Sequence, residues 1–363
     1  MSHCALIMAG GTAGHIFPGL AVAQALHTRG WRVHWLGTCG STPSPSMESQ
    51  LIPPQGIAFH AIDFGGLRGK GWVNFVLLPF RLLKACWQSI AVLRRIKPDV
   101  VLGMGGYVSF PAGLMAVLFR KPLVLHEQNS IAGLTNRVLS CVARQVFTAF
   151  PNVIRNAHWV GNPLRTAFLN VPPPDQRFAD RKGPLRVLVV GGSLGAQALN
   201  ELVPQALALI PVDQRPTVLH QSGTKHLEAL RAHYNNAHVA AEVTAFIDNT
   251  AQAFAEADLV ICRSGASTVT ELAAVGAAAV LVPFPYAVDD HQTSNARFLA
   301  DVGAAILVQQ SQLTPHYLAD LLQTMKRTTL IQQGLQAKKM QKLDATERIV
   351  AACEELITVK TLE

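Results

Sequence analysis

One short pattern occurs twice in the chain and limits what it can fold into. Cys4-Ala-Leu-Ile-Met-Ala-Gly10-Gly-Thr-Ala-Gly-His15 and Arg186-Val-Leu-Val-Val-Gly191-Gly-Ser-Leu-Gly-Ala-Gln197 share it. Each runs an apolar stretch into Gly-Gly, a hydroxyl residue, any residue and Gly, then a helical pattern. That is a strand, a tight loop and a helix start whose free N–H groups suit an anion. Short apolar runs such as Trp31–Leu36, Val100–Leu102, Leu123–Leu125, Val218–Leu219, Leu259–Cys262 and Ala279–Val282 alternate with longer helical patterns. Such alternation predicts parallel sheets covered by helices on both faces. At 363 residues the chain has room for two domains, one per glycine loop. The expected fold is α/β, with two doubly wound Rossmann-like domains facing across a cleft. The division expected is residues 1–162, a proline-rich linker at 163–184, and a second domain at 185–340. A helical segment at 341–363 is expected to pack back on the first domain.

Composition narrows the class. Hydrophobic residues make up 49% and charged residues 15%, which excludes a disordered chain. The net charge of +8 suits an anionic membrane surface, nucleic acid or a phosphorylated substrate. Cys4, Cys39, Cys86, Cys141, Cys262 and Cys353 form no Cys-x-x-Cys, and read as reduced, buried thiols of a cytoplasmic protein. Met1–Gly10 lacks a basic leader and a cleavage site and reads as a first strand. Val100–Phe119 carries no charge over twenty residues, but its glycines, Ser109 and Pro111 predict strand, loop and helix rather than a membrane span.

The first loop, Gly10–Gly14, suits a diphosphate or a developing oxyanion, or is simply a tight turn. No Gly-x-Gly-x-x-Gly occurs, which argues against a nicotinamide or flavin enzyme. In Cys262-Arg-Ser-Gly-Ala-Ser-Thr-Val-Thr-Glu271, a helix starting at Ser264 or Gly265 would offer N–H donors and hydroxyls, with Arg263 at its mouth for a phosphate. Glu271, two turns on, can accept both hydroxyls of a ribose or stand as a solvated helix residue. No Asp-x-Asp occurs, so no metal is expected on a diphosphate, and no cofactor is expected.

Read together, several motifs resemble the MurG family, the N-acetylglucosaminyltransferases of peptidoglycan synthesis, which have the GT-B fold. They are both glycine loops, Gly103-Met-Gly-Gly-Tyr107, His126-Glu-Gln-Asn129, Gly161-Asn-Pro-Leu-Arg165, Cys262–Glu271 and Pro283–Gln292. The resemblance runs in order from about residue 5 to about residue 300. Ala13 and Leu194 depart from it, standing where the family often has glycine and glutamine. It implies UDP-N-acetylglucosamine as donor and lipid-linked N-acetylmuramoyl-pentapeptide (lipid I) as acceptor. On the donor side it implies Arg165 and Ser193 near the phosphates, Ile247 at the uracil, and Gln292 at the sugar hydroxyls. Ala266, Ser267, Thr268, Val269, Thr270 and Glu271 would then hold diphosphate and ribose. Thr12, Ala13, Gly14 and Asn129 would line the N-terminal side, with Tyr107, Glu127, Asn200 and His291 in support. His15 is the candidate general base, or alternatively a group that orients phosphate, because histidine titrates near neutral pH. Glu127 is the next carboxylate to consider for that role.

From Gly65 to Pro98 there is no acidic residue. Arg68, Lys70, Arg81, Lys84, Arg94, Arg95 and Lys97 interleave there with Trp72, Phe75, Leu77, Phe80, Leu83 and Trp87. The run reads as a surface for anionic lipid or as a core helix with a basic solvated face. Nothing in it resembles a nucleic-acid module. A lipid-linked acceptor favours the membrane reading, which implies a peripheral protein at the cytoplasmic membrane face. Cell-wall synthesis or division proteins would be its partners. Two rivals are a UDP-sugar 2-epimerase of the same fold and a non-catalytic nucleotide-sugar-binding membrane protein.

Overall fold

The computed structural model describes residues 2–41, 44–65, 77–192 and 195–362. The chain divides into two compact units, Met1–Arg165 with Leu343–Glu363, and Thr166–Lys342.

In the first unit β1 (Cys4–Met8) runs through the middle of a seven-stranded sheet. The other strands are β2 (Arg32–Gly37), β5 (Ala58–Ala61), β6 (Val100–Gly103), β7 (Leu123–Glu127), β8 (Gln145–Thr148) and β9 (His158–Trp159), in the order β5-β2-β1-β6-β7-β8-β9. A short antiparallel pair, β3 (Gly40–Ser41) and β4 (Ser44–Pro45), stands apart. Every residue of β1 is buried, because helices cover both sheet faces. One face packs helix Ala13–Thr28 and the returning helix Ala345–Leu362, which contributes Ile349, Val350 and Cys353 to the core. The other packs Val92 and Leu93 of helix Leu78–Ile96 and Ala112 of helix Ser109–Leu118. Arg29, which caps the C-terminus of the first helix, also pairs with Glu347 and, at 2.8 Å, with Glu354 of the returning helix.

The second unit repeats the plan with six parallel strands, β10 (Arg186–Val190), β11 (Thr217–Gln221), β12 (Glu242–Thr244), β13 (Leu259–Cys262), β14 (Ala279–Leu281) and β15 (Ala305–Leu307). Their order is β12-β11-β10-β13-β14-β15. In both sheets the order reverses beside the first strand, between β1 and β6 and between β10 and β13. Ligands of such sheets bind at that switch point, beyond the C-terminal strand ends. Each glycine loop leaves the sheet there.

Two readings of the sequence change, and a choice between two others narrows. The proline-rich run expected as a linker is packed: Phe168 and Phe178 are buried, and Arg177 donates to the carbonyls of Val275 and Gly276 at 3.0 Å. Prolines in that run start a short helix, Pro174–Phe178, rather than hold a spacer. Not all thiols are buried either. Cys39 and Cys141 are exposed and Cys86 is half-buried, although all six are free. In helix Leu78–Ile96 the large apolar residues Phe80, Leu83 and Trp87 face outward, each at least 66% exposed, while Ala85, Ser89 and Val92 face the core. Arg68, Lys70, Trp72 and Phe75 lie outside the described residues. Among the described residues no helix is long and apolar enough to cross a membrane.

Two buried histidines tie stability to pH. Burial pushes His126 on β7 down to about 4 and His220 on β11 down to about 3. Both values lie below the roughly 6.5 of an unfolded histidine, so the unfolded chain takes up protons first as pH falls. Stability is therefore full above about pH 6.5 and is lost progressively toward pH 4 and below. The urea midpoint should be clearly lower at pH 4.5 than at pH 7.5; equal midpoints would show that these rings are not held neutral.

Candidate active site

The first switch point is built by close backbone approach. Trp35, fully buried on β2, donates its indole N–H to the Ala9 carbonyl at 3.0 Å and pins the end of β1. At Gly106 (φ +87°) a Cβ would lie 2.4 Å from the Gly10 carbonyl oxygen, so the two loops touch only because the residue is glycine. At Gly105 (φ +90°) a Cβ would lie 2.8 Å from His15 Nδ1. The Gly103–Tyr107 motif is thus the backing of the His15 ring, and Tyr107 after it is exposed.

His15 stands in the first turn of helix Ala13–Thr28, half-buried. Its Nδ1 is 2.9 Å from Gln128 Oε1. Thr12 is the N-cap but makes no side-chain cap bond, and with Ala13 and Gly14 it supplies N–H groups that no preceding turn can pair. Glu48 changes the reading of this loop. Its buried carboxylate accepts from Gly11 N at 3.4 Å and from Thr38 N and Oγ1 at 3.2 and 3.0 Å. The loop thus carries its own anion at Gly11, and only the N–H groups beyond it remain for another.

Glu127 is buried and saturated. Oε1 accepts from Asn129 N at 2.9 Å and Asn129 Nδ2 at 3.5 Å, and Oε2 from Gly133 N at 3.1 Å and Asn136 Nδ2 at 2.9 Å. A carboxylate so engaged shapes the turn that presents half-buried Asn129, and both of its oxygens are already occupied by that turn. Arg165 is exposed, with its guanidinium 5.9 Å from the Phe17 ring centre.

In the second unit Ser193, with Leu194, lies outside the described residues. Around it Gly195 (φ +79°) presses on the Ser222 carbonyl, where a Cβ would stand 1.9 Å away. Asn200 is buried and supports this contact, donating to Ser222 O at 3.0 Å and meeting His220 Nε2 at 3.1 Å. Gln221 links the loop to Ile247: it donates to Gly192 O at 3.0 Å and accepts from Ile247 N at 3.3 Å.

Helix Ala266–Val275 begins at Gly265, which gives no side-chain cap. The hydroxyls of Ser264 and Ser267 are buried there without a hydrogen-bond partner. Thr268 is half-buried, Val269 fully buried, and Thr270 turns its hydroxyl back to the Ala266 and Ser267 carbonyls at 3.0 and 2.9 Å. Glu271 is half-buried on the same helix. Arg263 does not point into this turn. It donates to the Val282 and Pro283 carbonyls at 3.1 and 3.0 Å and to Gln310 Oε1 at 2.6 Å, with Phe284 under the guanidinium. These two carbonyls at the end of β14 need a donor, and Arg263 is spent on them. The braced turn matters in its own right, because Gln292 Oε1 accepts from Phe284 N at 2.9 Å. His291 meets Val288 O at 2.7 Å. Among the described residues no three His, Cys, Asp or Glu side chains gather as a metal site.

Sequence reasoning passed over Glu48, Gln128, Gln221 and the bracing role of Arg263. Gln128 stood inside the quoted His126–Asn129 motif, the one signal that could have marked it. Glu48 stood in no motif.

The glycosyltransferase family 28 N-terminal domain matches residues 5–148, and the family 28 C-terminal domain matches 186–349. A protein of Albidiferax ferrireducens is 67% identical over 98% of this chain and 92% of its own length. One of Polaromonas naphthalenivorans is 68% identical over 97% of this chain and 98% of its own. Both are called UDP-N-acetylglucosamine–N-acetylmuramyl-(pentapeptide) pyrophosphoryl-undecaprenol N-acetylglucosamine transferase. The crystal structure of Acinetobacter baumannii MurG superposes with a TM-score of 0.84 at 42% identity, covering 97% of this chain and 99% of that one. With two Rossmann-like units, family 28 domains in both halves and relatives matched almost end to end, the chain belongs to the MurG family of GT-B glycosyltransferases.

Proposed function

We propose that the chain transfers N-acetylglucosamine, with inversion, from UDP-N-acetylglucosamine to the 4-hydroxyl of undecaprenyl-diphosphate-linked N-acetylmuramoyl-pentapeptide. The product is the lipid-linked disaccharide of peptidoglycan synthesis. The observation that carries this is identity of 67–68% over nearly the whole chain to relatives bearing that transferase name. A UDP-sugar 2-epimerase would need no acceptor. UDP release should therefore depend on a lipid I analogue, and epimerisation without acceptor would reject the reading.

The donor belongs to the second unit. Two buried hydroxyls without partners, Ser264 and Ser267, and the free N–H groups of the Ala266 turn suit a diphosphate. Thr268, Val269 and Thr270 carry the turn onward to Glu271, for the ribose diol. Ile247 would meet the uracil through its backbone, held by Gln221. Gln292, its carbonyl engaged by Phe284, has its amide N–H groups left for sugar hydroxyls. Ser193 would approach the phosphates, and Asn200 and His291 hold the surrounding loops. Calorimetry on Glu271→Ala should show UDP binding weakened by about 1–3 kcal/mol, the scale of a lost partner to a buried polar group. Unchanged affinity would remove the ribose role.

The acceptor belongs to the first unit, with Thr12, Ala13, Gly14, Asn129 and Tyr107 around His15. In the reaction the acceptor oxygen bonds to the donor's anomeric carbon. The bond from that carbon to the phosphate oxygen breaks, UDP leaves with the electron pair, and His15 takes the hydroxyl proton. A general base of this kind contributes roughly 10²–10⁴-fold. His15→Ala should lower kcat by that order, leave UDP affinity intact and abolish the acidic limb of the pH–rate profile. A near-normal kcat with the same limb would exclude His15 as base.

The acceptor's lipid motivates a peripheral position on the cytoplasmic membrane face. Phe80, Leu83 and Trp87 are an outward apolar row, and Arg81 and Lys84 flank it. Lys84 pairs with Asp63 at 2.6 Å, but both side chains are more than half exposed, so the pair is a weak competitor for lipid phosphate. Binding to anionic vesicles should weaken with salt and in Arg81→Glu and Lys84→Glu. Equal binding to neutral vesicles would reject the electrostatic part.

A further inference from the structure

Behind His15 runs a chain of hydrogen bonds that ends on a main-chain carbonyl. His126 Nε2 lies 2.8 Å from Gly161 O, Gln128 Nε2 lies 3.1 Å from His126 Nδ1, and Gln128 Oε1 lies 2.9 Å from His15 Nδ1. His126 and Gln128 are both buried, at 0% and 1% exposure, so the two inner links are shut off from bulk water, while the link to half-buried His15 lies at the edge of the site.

The proton on each ring nitrogen follows from the fixed end. Gly161 O can only accept, so His126 Nε2 carries a hydrogen and donates. His126 is held neutral by burial, so its Nδ1 has a lone pair and needs a donor. Only the amide nitrogen of Gln128 can supply one. The amide orientation has a second, independent anchor, because the same nitrogen donates to the His126 carbonyl at 3.3 Å. The amide oxygen therefore faces His15, and His15 Nδ1 must donate to it. The hydrogen of neutral His15 then sits on Nδ1, and Nε2 is left with its lone pair.

We propose that Gln128 is a positioning residue for the transfer: through the Gly161–His126–Gln128 chain it fixes His15 in the Nδ1–H tautomer, with Nε2 as the proton-accepting atom. The inference deepens the base role given to His15 and rests on it. It also explains the glycine at 105. With a Cβ there 2.8 Å from His15 Nδ1 and 3.4 Å from Gln128 Oε1, any side chain would wedge open the bond that sets the tautomer. Gln128 acts through His15 and need not touch substrate.

The test reads the tautomer directly. In full-length protein labelled with ¹⁵N-histidine, long-range ¹H–¹⁵N spectra separate a protonated ring nitrogen from one with a lone pair. The His15 signals are assigned by their loss in His15→Gln. The expected result is a protonated Nδ1 and an unprotonated Nε2 in the unaltered protein near pH 8. Gln128→Met should move His15 toward the Nε2–H form and lower kcat about 10-fold or more, with KM for UDP-N-acetylglucosamine little changed, as for a base held in the wrong tautomer. The Nε2–H form in the unaltered protein would overturn the proposal, and needs no variant to fold. A normal kcat in Gln128→Met, alongside a large loss in His15→Ala, would overturn the relay and leave the base reading standing. A normal kcat in His15→Ala, with the Nδ1–H form observed, would overturn the base reading and with it the catalytic meaning of the relay.

Discussion

The contact on which the first unit's chemistry depends is the meeting of two loops at one sheet position, Gly106 against Gly10. It exists because a parallel sheet reverses its strand order between β1 and β6, so both loops emerge on the same edge. A Cβ at residue 106 would stand 2.4 Å from the Gly10 oxygen, well inside contact distance. Close approach at Gly106 lets Gly105 back the His15 ring, and that in turn leaves room for Gln128. Removing any one of these small residues displaces the ring rather than merely loosening a turn. The second unit solves the same problem with other atoms, Gly195 against the Ser222 carbonyl.

The two glycine loops share a sequence pattern and differ in charge. The first receives Glu48, a buried carboxylate brought from a helix 37 residues away. The second is stitched by the neutral amide of Gln221 and followed, after β13, by a helix start with two unpaired hydroxyls. A carboxylate at the loop disfavours a second anion close by, whereas neutral donors invite one. A duplicated strand–loop–helix unit thus carries a carboxylate at one loop and a neutral amide at the other. The divergence lies in one long-range side chain, not in the motif.

That contrast marks how far the sequence was readable. Strand runs, both loops, the doubly wound order and Gly103–Tyr107 follow from local patterns, since apolar runs and glycines act over a few residues. Glu271 was legible from its place two turns into a helix that starts after a strand, whereas Gln292 came from the family resemblance. What stayed hidden are partnerships across long separations. Arg263 was expected at a phosphate because its neighbours in sequence suggest one. Its real partners are two carbonyls about 20 residues on and Gln310, reached only after the strands have been stacked. Glu127 was the next carboxylate to consider as base, and the turn through Gly133 and Asn136 that closes around it left no sign in the sequence. Hydrogen-bond saturation is a property of tertiary structure, so residue type alone overstates how many charged groups are available for chemistry.

The return of helix Ala345–Leu362 to the first unit has a consequence for how that site is held. Ile349, Val350 and Cys353 bury themselves against the same sheet face as helix Ala13–Thr28, whose first turn carries His15. Without them, Val22, Ala23 and Leu26 would lose apolar partners on the face opposite Leu78–Ile96. The exposed Arg29–Glu347 and Arg29–Glu354 pairs fix where the helix lies but add little energy, since such pairs are screened by water. Burial therefore anchors the far side of the helix that carries His15, and it comes from residues more than 300 positions later in the chain. The first unit's core is complete only when helix Ala345–Leu362 has been made, so the second unit is in effect an insertion within the first.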